Sequence, residues 1–235
     1  MIKIENVDTF GWKAAIRGMR NPMNSWDKSD SYFGCDEIFC IDCPHFEDGE
    51  CGQDPILIGE NDLKLMNSLA KAGSDHGKFL RMINVTCDIT APLYWWKEYD
   101  TYKVGTVANS CSTMHKITSK RFTLDDFSHE HLTKSAFAFL EELIENLNDC
   151  LEGYADFENC PTDIWEVGIT CKKDIWWQII QLLPTSYNQR RTVQLNYQVL
   201  KSMYLARKQH KLDEWRDFCI WCETLPYFKE VCIDA

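Results

Sequence analysis

No window of this 235-residue chain approaches the run of about 18 uninterrupted apolar residues that marks a membrane span. Its opening, Met1-Ile2-Lys3-Ile4-Glu5, lacks the long apolar stretch of a signal peptide. The expectation is therefore a soluble, cytoplasmic protein with no membrane partner. Positive charge is scarce: 25 Lys and Arg stand against 36 Asp and Glu, a net charge of −11. General nucleic-acid binding draws its affinity from neutralising phosphates with Lys and Arg, so that class is excluded. A small anion remains admissible, because a local basic pocket can outweigh a negative global field. Internal repeats and low-complexity segments are absent.

Apolar residues make up 45% of the chain and aromatic ones 13%. That is enough for one sizeable core, and one compact domain with a short accessory piece is the natural division. Cysteine is plentiful at 12 residues. Eight of these lie scattered from Cys87 onward without paired spacing, which suits reduced, packed thiols. The other four form Cys35-x4-Cys40-x2-Cys43-Pro44-His45-x5-Cys51. Soft thiolates this close together suit a structural tetrahedral zinc, while the scatter of cysteines elsewhere shows a chain that tolerates the residue freely. Both readings stand at this level. With metal, the segment could make the chain a zinc-stapled interaction protein.

Residues 1–55 are crowded with turn formers and read as an irregular, Cys-rich N-terminal segment; residues 56–235 read as the folded domain. Leu63, Met66, Leu69 and Ala70 recur at helical spacing, and Gly73 supplies the stop. Over residues 81–90, Ile83, Val85, Cys87 and Ile89 alternate with Asn84, Thr86, Asp88 and Thr90, the pattern of a half-buried strand. Ala91-Pro92 ends it, and Pro92 suits the first position of a helix through Leu93-Tyr94-Trp95-Trp96. Gly105 breaks that helix and opens a loop at Val107–Ser112. Three further helical stretches follow: Ala136 to Tyr154, Trp176 to Leu183, and, after a polar break, Leu195 to Arg207. A last one runs from Leu212 to Cys222. Many helices with few strands give an α+β class.

Three blocks in this order resemble the flavin-dependent thymidylate synthase family. Gly73-Ser74-x4-Phe79-x-Arg81 leads through the strand into Thr90-Ala91-Pro92. Asn109-Ser110-Cys111-Ser112 is similar to the family's Asn-Glu-x-Ser, the second half of its Arg-His-Arg signature. Leu183-Pro184, then Asn196, then Arg207 match the Leu-Pro…Asn…Arg pattern without a gap. The resemblance spans residues 60–228. It implies a homotetramer with sites at subunit junctions, a central helix–sheet unit and a helical part. It further implies bound FAD, with NADPH and methylenetetrahydrofolate as co-substrates in making dTMP from dUMP.

Carried over residue by residue, the resemblance implies that Asn109, Ser110, Cys111 and Ser112 line the nucleotide. Arg207 holds it, and Ser112 and Arg207 form the catalytic pair. Arg81, Lys103, Asn196, His210 and Lys211 fall to the cofactor. Each has a plainer reading: a polar turn for 109–112, a cation complementing a helix end for Arg207, His210 and Lys211, a snorkelling residue for Arg81. Trp95, Trp96, Tyr99 and Tyr102 read as packing. The chain departs from the family at its signature. Where the arginines are expected, counting forward from Pro92 gives Thr101-Tyr102-Lys103 and counting back from Asn109 gives Tyr102-Lys103-Val104, leaving Lys103, with Lys97 nearby, as the cation, and Ser110 replaces the glutamate. Losing a bidentate arginine is not conservative, so a non-catalytic or altered-specificity relative is the alternative.

Overall fold

The computed structural model describes residues 2–33, 56–157, 169 and 171–234. The cluster Cys35, Cys40, Cys43 and Cys51 lies outside them. The architecture is α+β, as expected. Strands β1 (Lys3–Phe10), β4 (Asn84–Pro92), β5 (Val107–Ser110) and β6 (Asn188–Asn196) form an antiparallel sheet in the order β1-β4-β6-β5. Two short strands, β2 (Tyr32–Phe33) and β3 (Ile56–Leu57), pair separately. The helices are α1 (Trp12–Arg20), α2 (Glu60–Lys71), α3 (Leu93–Tyr99), α4 (Lys134–Ala155), α5 (Lys172–Leu182), α6 (Tyr197–Arg207) and α7 (Asp213–Cys222).

The alternation around β4 sorts its side chains as the sequence pattern requires. Ile83, Val85, Cys87 and Ile89 are buried against Trp12, Trp95, Leu200, Trp215 and Phe218. On the other face Asp88 accepts hydrogen bonds from Thr192 (2.5 Å), Arg190 (2.7 Å) and Asn6 (2.7 Å). These donors hold its carboxyl below the ordinary range. A second core joins α4 and α5 through Leu140, Leu147, Ile175 and Ile179, closed by Ile117, Phe122 and Phe127. Thr133 caps α4, its side chain accepting from Ala136 N.

Three expectations need correction. The polar break before Asn196 is β6, the partner of both β4 and β5. Its inward positions are Gln189, Arg191, Val193 and Leu195, and two of these four are polar, so the alternation signal is weak. Leu195 belongs to this strand, and α6 starts after it. The loop expected at 107–112 is β5 as far as Ser110, an exposed edge strand held by β6. Finally, the irregular reading of residues 1–55 does not hold for residues 2–33. β1 pairs with β4 and Trp12 is 2% exposed in the main core. Turn formers there mark the connections between short elements.

Arg20 and Asp62, both inside the protein, tie this N-terminal part down. Arg20 Nε donates to Asp62 Oδ1 at 2.6 Å, while Ser29 and Ser31 hydroxyls donate to Oδ2 at 2.7 Å each. Asp30 caps α2 through Asn61 N and Asp62 N. The residues flanking the Cys-rich segment are thereby fixed to the body.

Candidate functional site

The helix that follows β4 carries two carboxylates that organise the surroundings. Glu98, in the last turn of α3, accepts from Arg207 Nη1 at 2.6 Å and from Trp215 Nε1 at 3.1 Å; His210 Nε2 lies 3.3 Å from the same oxygen. Arg207 Nε donates to the Tyr102 hydroxyl at 3.0 Å. The guanidinium sits 4.9 Å over the Trp215 ring and 5.6 Å from that of Tyr102. A guanidinium that is ion-paired, hydrogen-bonded and stacked has little freedom left. Its Nη2 has no partner among the described residues.

Asp100, the residue capping α3, does the same for Arg191 of β6. Arg191 Nη1 donates to Asp100 at 2.8 Å, Nε donates to Gln189 Oε1 at 3.0 Å, and the guanidinium lies 4.2 Å over the Trp96 ring. Trp96 Nε1 in turn donates to the Gln189 carbonyl at 2.9 Å. β5 passes alongside: Ser110 is in register with Arg191 and Asn109 with Thr192. The pairing continues beyond the strand, with Cys111 N donating to Arg190 O (2.9 Å) and Gln189 Nε2 donating to Cys111 O (2.8 Å). Ser112 then turns the chain, its hydroxyl accepting from Met114 N and His115 N at 3.2 and 3.0 Å.

The expected site residues thus fall into separate groups. Arg207 and His210 share Glu98, and Lys211 follows them beside an open depression of about 300 Å³ lined by Leu205, Ala206, Lys208, Gln209, His210 and Lys211 but not by Arg207. Asn109, Ser110 and Cys111 run along the sheet edge, with exposed side chains. Asn196 caps α6, its side-chain oxygen accepting from Val199 N at 3.1 Å. It packs against the segment bearing Lys103: a Cβ on Gly105, whose φ is +79°, would lie 3.2 Å from Asn196 Nδ2. Arg81 ends a 3-10 turn just before β4, whose Asn84 pairs with Asn196. Arg81, Lys103 and Lys211 are exposed and pair with no carboxylate among the described residues.

Tyr102, read from the sequence as packing, does pack against the main core and also holds Arg207 through its hydroxyl, while Glu98, Asp100 and Arg191 escaped notice altogether. A charged residue on a helix or strand carries no sequence signal for the partner it meets across the fold. Arg191 stacked over Trp96 is visible only once β6 and α3 are in place.

The sequence matches no family model, and no curated protein matches it. Solved structures do match. A flavin-dependent thymidylate synthase, ThyX, from Helicobacter pylori, complexed with FAD and dUMP, aligns with a TM-score of 0.63 at 13% identity, over 99% of this chain and 98% of that one. The chain has the ThyX fold. A second structure of thymidylate synthase X from the same organism, also with FAD and dUMP, gives a TM-score of 0.59 at 14% identity, over 100% of this chain and 98% of that one. The ThyX fold takes in residues on both sides of the Cys-rich segment, so β1 and α1 are parts of the shared scaffold. No helix among the described residues is long and apolar enough to cross a membrane.

Proposed function

We propose that this chain is an FAD-dependent protein of the thymidylate synthase type, which makes dTMP from dUMP with methylenetetrahydrofolate and NADPH, as a cytoplasmic homotetramer. The observation that carries the reading is the ThyX fold over essentially the whole chain, which the sequence resemblance of the three motif blocks supports. The residues present suit the cofactor: Arg81 and Lys103 are exposed, pair with no carboxylate among the described residues, and would supply positive charge to a dinucleotide's phosphates. Asn196 Oδ1 is spent on its helix cap, which leaves its Nδ2 for a ligand. Lys211 and His210 border the depression at the end of α6. FAD, when bound, supplies the hydride chemistry.

The chain's own part is to hold the nucleotide and offset charge on it. Arg207, stiffened by Glu98, Tyr102 and Trp215, offers Nη2 to an oxygen of the pyrimidine nucleotide. Such preorganised donors stabilise developing charge without reorganising. Asn109, Ser110, Cys111 and Ser112 line the nucleotide along the sheet edge. Ser112 Oγ accepts two backbone N–H groups and keeps its own proton to donate.

A non-catalytic or altered-specificity relative is the second reading, favoured by the solvent-exposed Lys103 where the family has arginine. In a third, Cys35, Cys40, Cys43 and Cys51 hold a zinc that makes the N-terminal segment an interaction module. No group of three or more metal-ligating side chains occurs among the described residues, so any such zinc rests on that segment.

The purified protein is expected to carry a flavin absorption band and to form dTMP from dUMP, NADPH and methylenetetrahydrofolate. A band without dTMP selects the second reading. Colourless protein that ignores added FAD sinks both flavin readings, and tag-free metal analysis then decides the third.

A further inference from the structure

We propose that Arg191 is a second nucleotide-binding arginine, supplying to dUMP the cation that Thr101-Tyr102-Lys103 no longer provides. The proposal rests on the nucleotide-site reading above.

Three observations carry it. Arg191 lies beside the segment expected to line the nucleotide, in register with Ser110. The Gln189 side chain couples the two: its Nε2 donates to Cys111 O at 2.8 Å and its Oε1 accepts from Arg191 Nε at 3.0 Å. Arg191 is also oriented as Arg207 is, with a tryptophan face behind it at 4.2 Å and an α3 carboxylate on Nη1. That repeated arrangement leaves Nη2 of each arginine with no partner among the described residues. Arg191 is only 15% exposed, whereas Asp100 is 51% exposed. The pair therefore reaches solvent at its acidic end, and the guanidinium lies under the β6 position paired with Ser110. Lys103, on its mobile stem in solvent, has no comparable constraint.

The plain alternative is an ion pair that only fastens β6 to α3, and the two partners' variants separate these roles. Calorimetric titration of the flavin-loaded protein with dUMP is the measurement, alongside thermal melting. Arg191→Ala should weaken dUMP binding by about tenfold or more, the scale of one charged hydrogen bond. Arg191→Lys, which keeps the charge and the stem but not the fork, should recover only part of it and covers the case of an unfolded alanine variant. Asp100→Ala removes one of the three groups that hold the guanidinium and keeps Gln189 and Trp96, so it should cost clearly less affinity than Arg191→Ala. Two results overturn the proposal while sparing the site reading: wild-type affinity in Arg191→Ala and Arg191→Lys, or equal losses in Asp100→Ala and Arg191→Ala. Wild-type protein that carries flavin but does not bind dUMP overturns both.

Discussion

Arg207 and Glu98 meet at 2.6 Å where the end of α6 crosses the last turn of α3, and Trp215 donates to the same carboxylate oxygen from α7. Three helices are joined through one carboxylate. Two residues further along, Asp100 joins α3 to β6 through Arg191. The segments singled out from the sequence, 109–112 and the end of α6, are thereby linked through α3, although no hydrogen bond joins them directly among the described residues.

Replacing Arg207 by Ala should cost about 1.5–3 kcal/mol of dUMP binding, the value of a charged hydrogen bond to the ligand. Arg207→Lys should restore little, since an ammonium cannot serve Tyr102, Glu98 and a ligand in one plane. Titration calorimetry reads both. An unaltered dissociation constant in Arg207→Ala would remove the residue from the site.

The Arg20–Asp62 pair is a matter of stability. Its side chains are 4% and 0% exposed, and removing one partner of such a pair leaves a buried charge uncompensated. Asp62→Ala is expected to lower unfolding free energy by about 3–5 kcal/mol in urea titration. A loss under about 1 kcal/mol would mean that water reaches Arg20 in the variant.

Acid should act through the same residue. Burial pushes the Asp62 carboxyl up, but hydrogen bonds from Ser29, Ser31 and Arg20 outweigh it and leave it below its usual value. A depressed folded-state value means stability that is present above the unfolded-state value and lost as pH falls through the folded-state one. Wild type should therefore lose stability on acidification below about pH 4. Asp62→Asn should be less stable at neutral pH and flatter through that window. Parallel slopes for the two proteins would exclude Asp62 as a source of the acid sensitivity.

Gly105 should resist substitution. Its φ of +79° is a left-handed conformation, and a Cβ there would stand 3.0 Å from Val199 Cγ2. Alanine is expected to cost about 1–2 kcal/mol from the backbone alone and to push the Lys103 segment away from Asn196. A melting temperature equal to that of wild type would show that this loop relaxes freely.

Thiol reactivity should divide the described cysteines. Burial pushes the thiols of Cys87 and Cys232 up to about 12 and that of Cys219 to about 11; Cys222 lies deeper still. Cys111 and Cys171 are exposed. Brief alkylation of native protein near neutral pH, read by mass spectrometry, should label the latter two first. Early labelling of Cys222 would mean that the α7 core opens readily.

Sequence pattern alone determined what depends on neighbours along the chain. The alternation Ile83, Val85, Cys87, Ile89 gave β4 its buried face, and helical spacing gave α2, α4, α5 and α7, with Gly73 at a positive φ after α2. The ungapped Leu183-Pro184, Asn196 and Arg207 pointed to the ThyX fold. Tertiary structure decided what depends on partners across the fold. β6 reads as a polar break because Gln189 and Arg191 face inward among only two apolar residues, and pairing with β4 and β5 makes it a strand. β5 is a strand solely because β6 offers it an edge. Arg207 and Arg191 carry the same charge in any sequence; which carboxylate each meets, and which tryptophan lies behind it, follows from how α3 packs between α6 and the sheet.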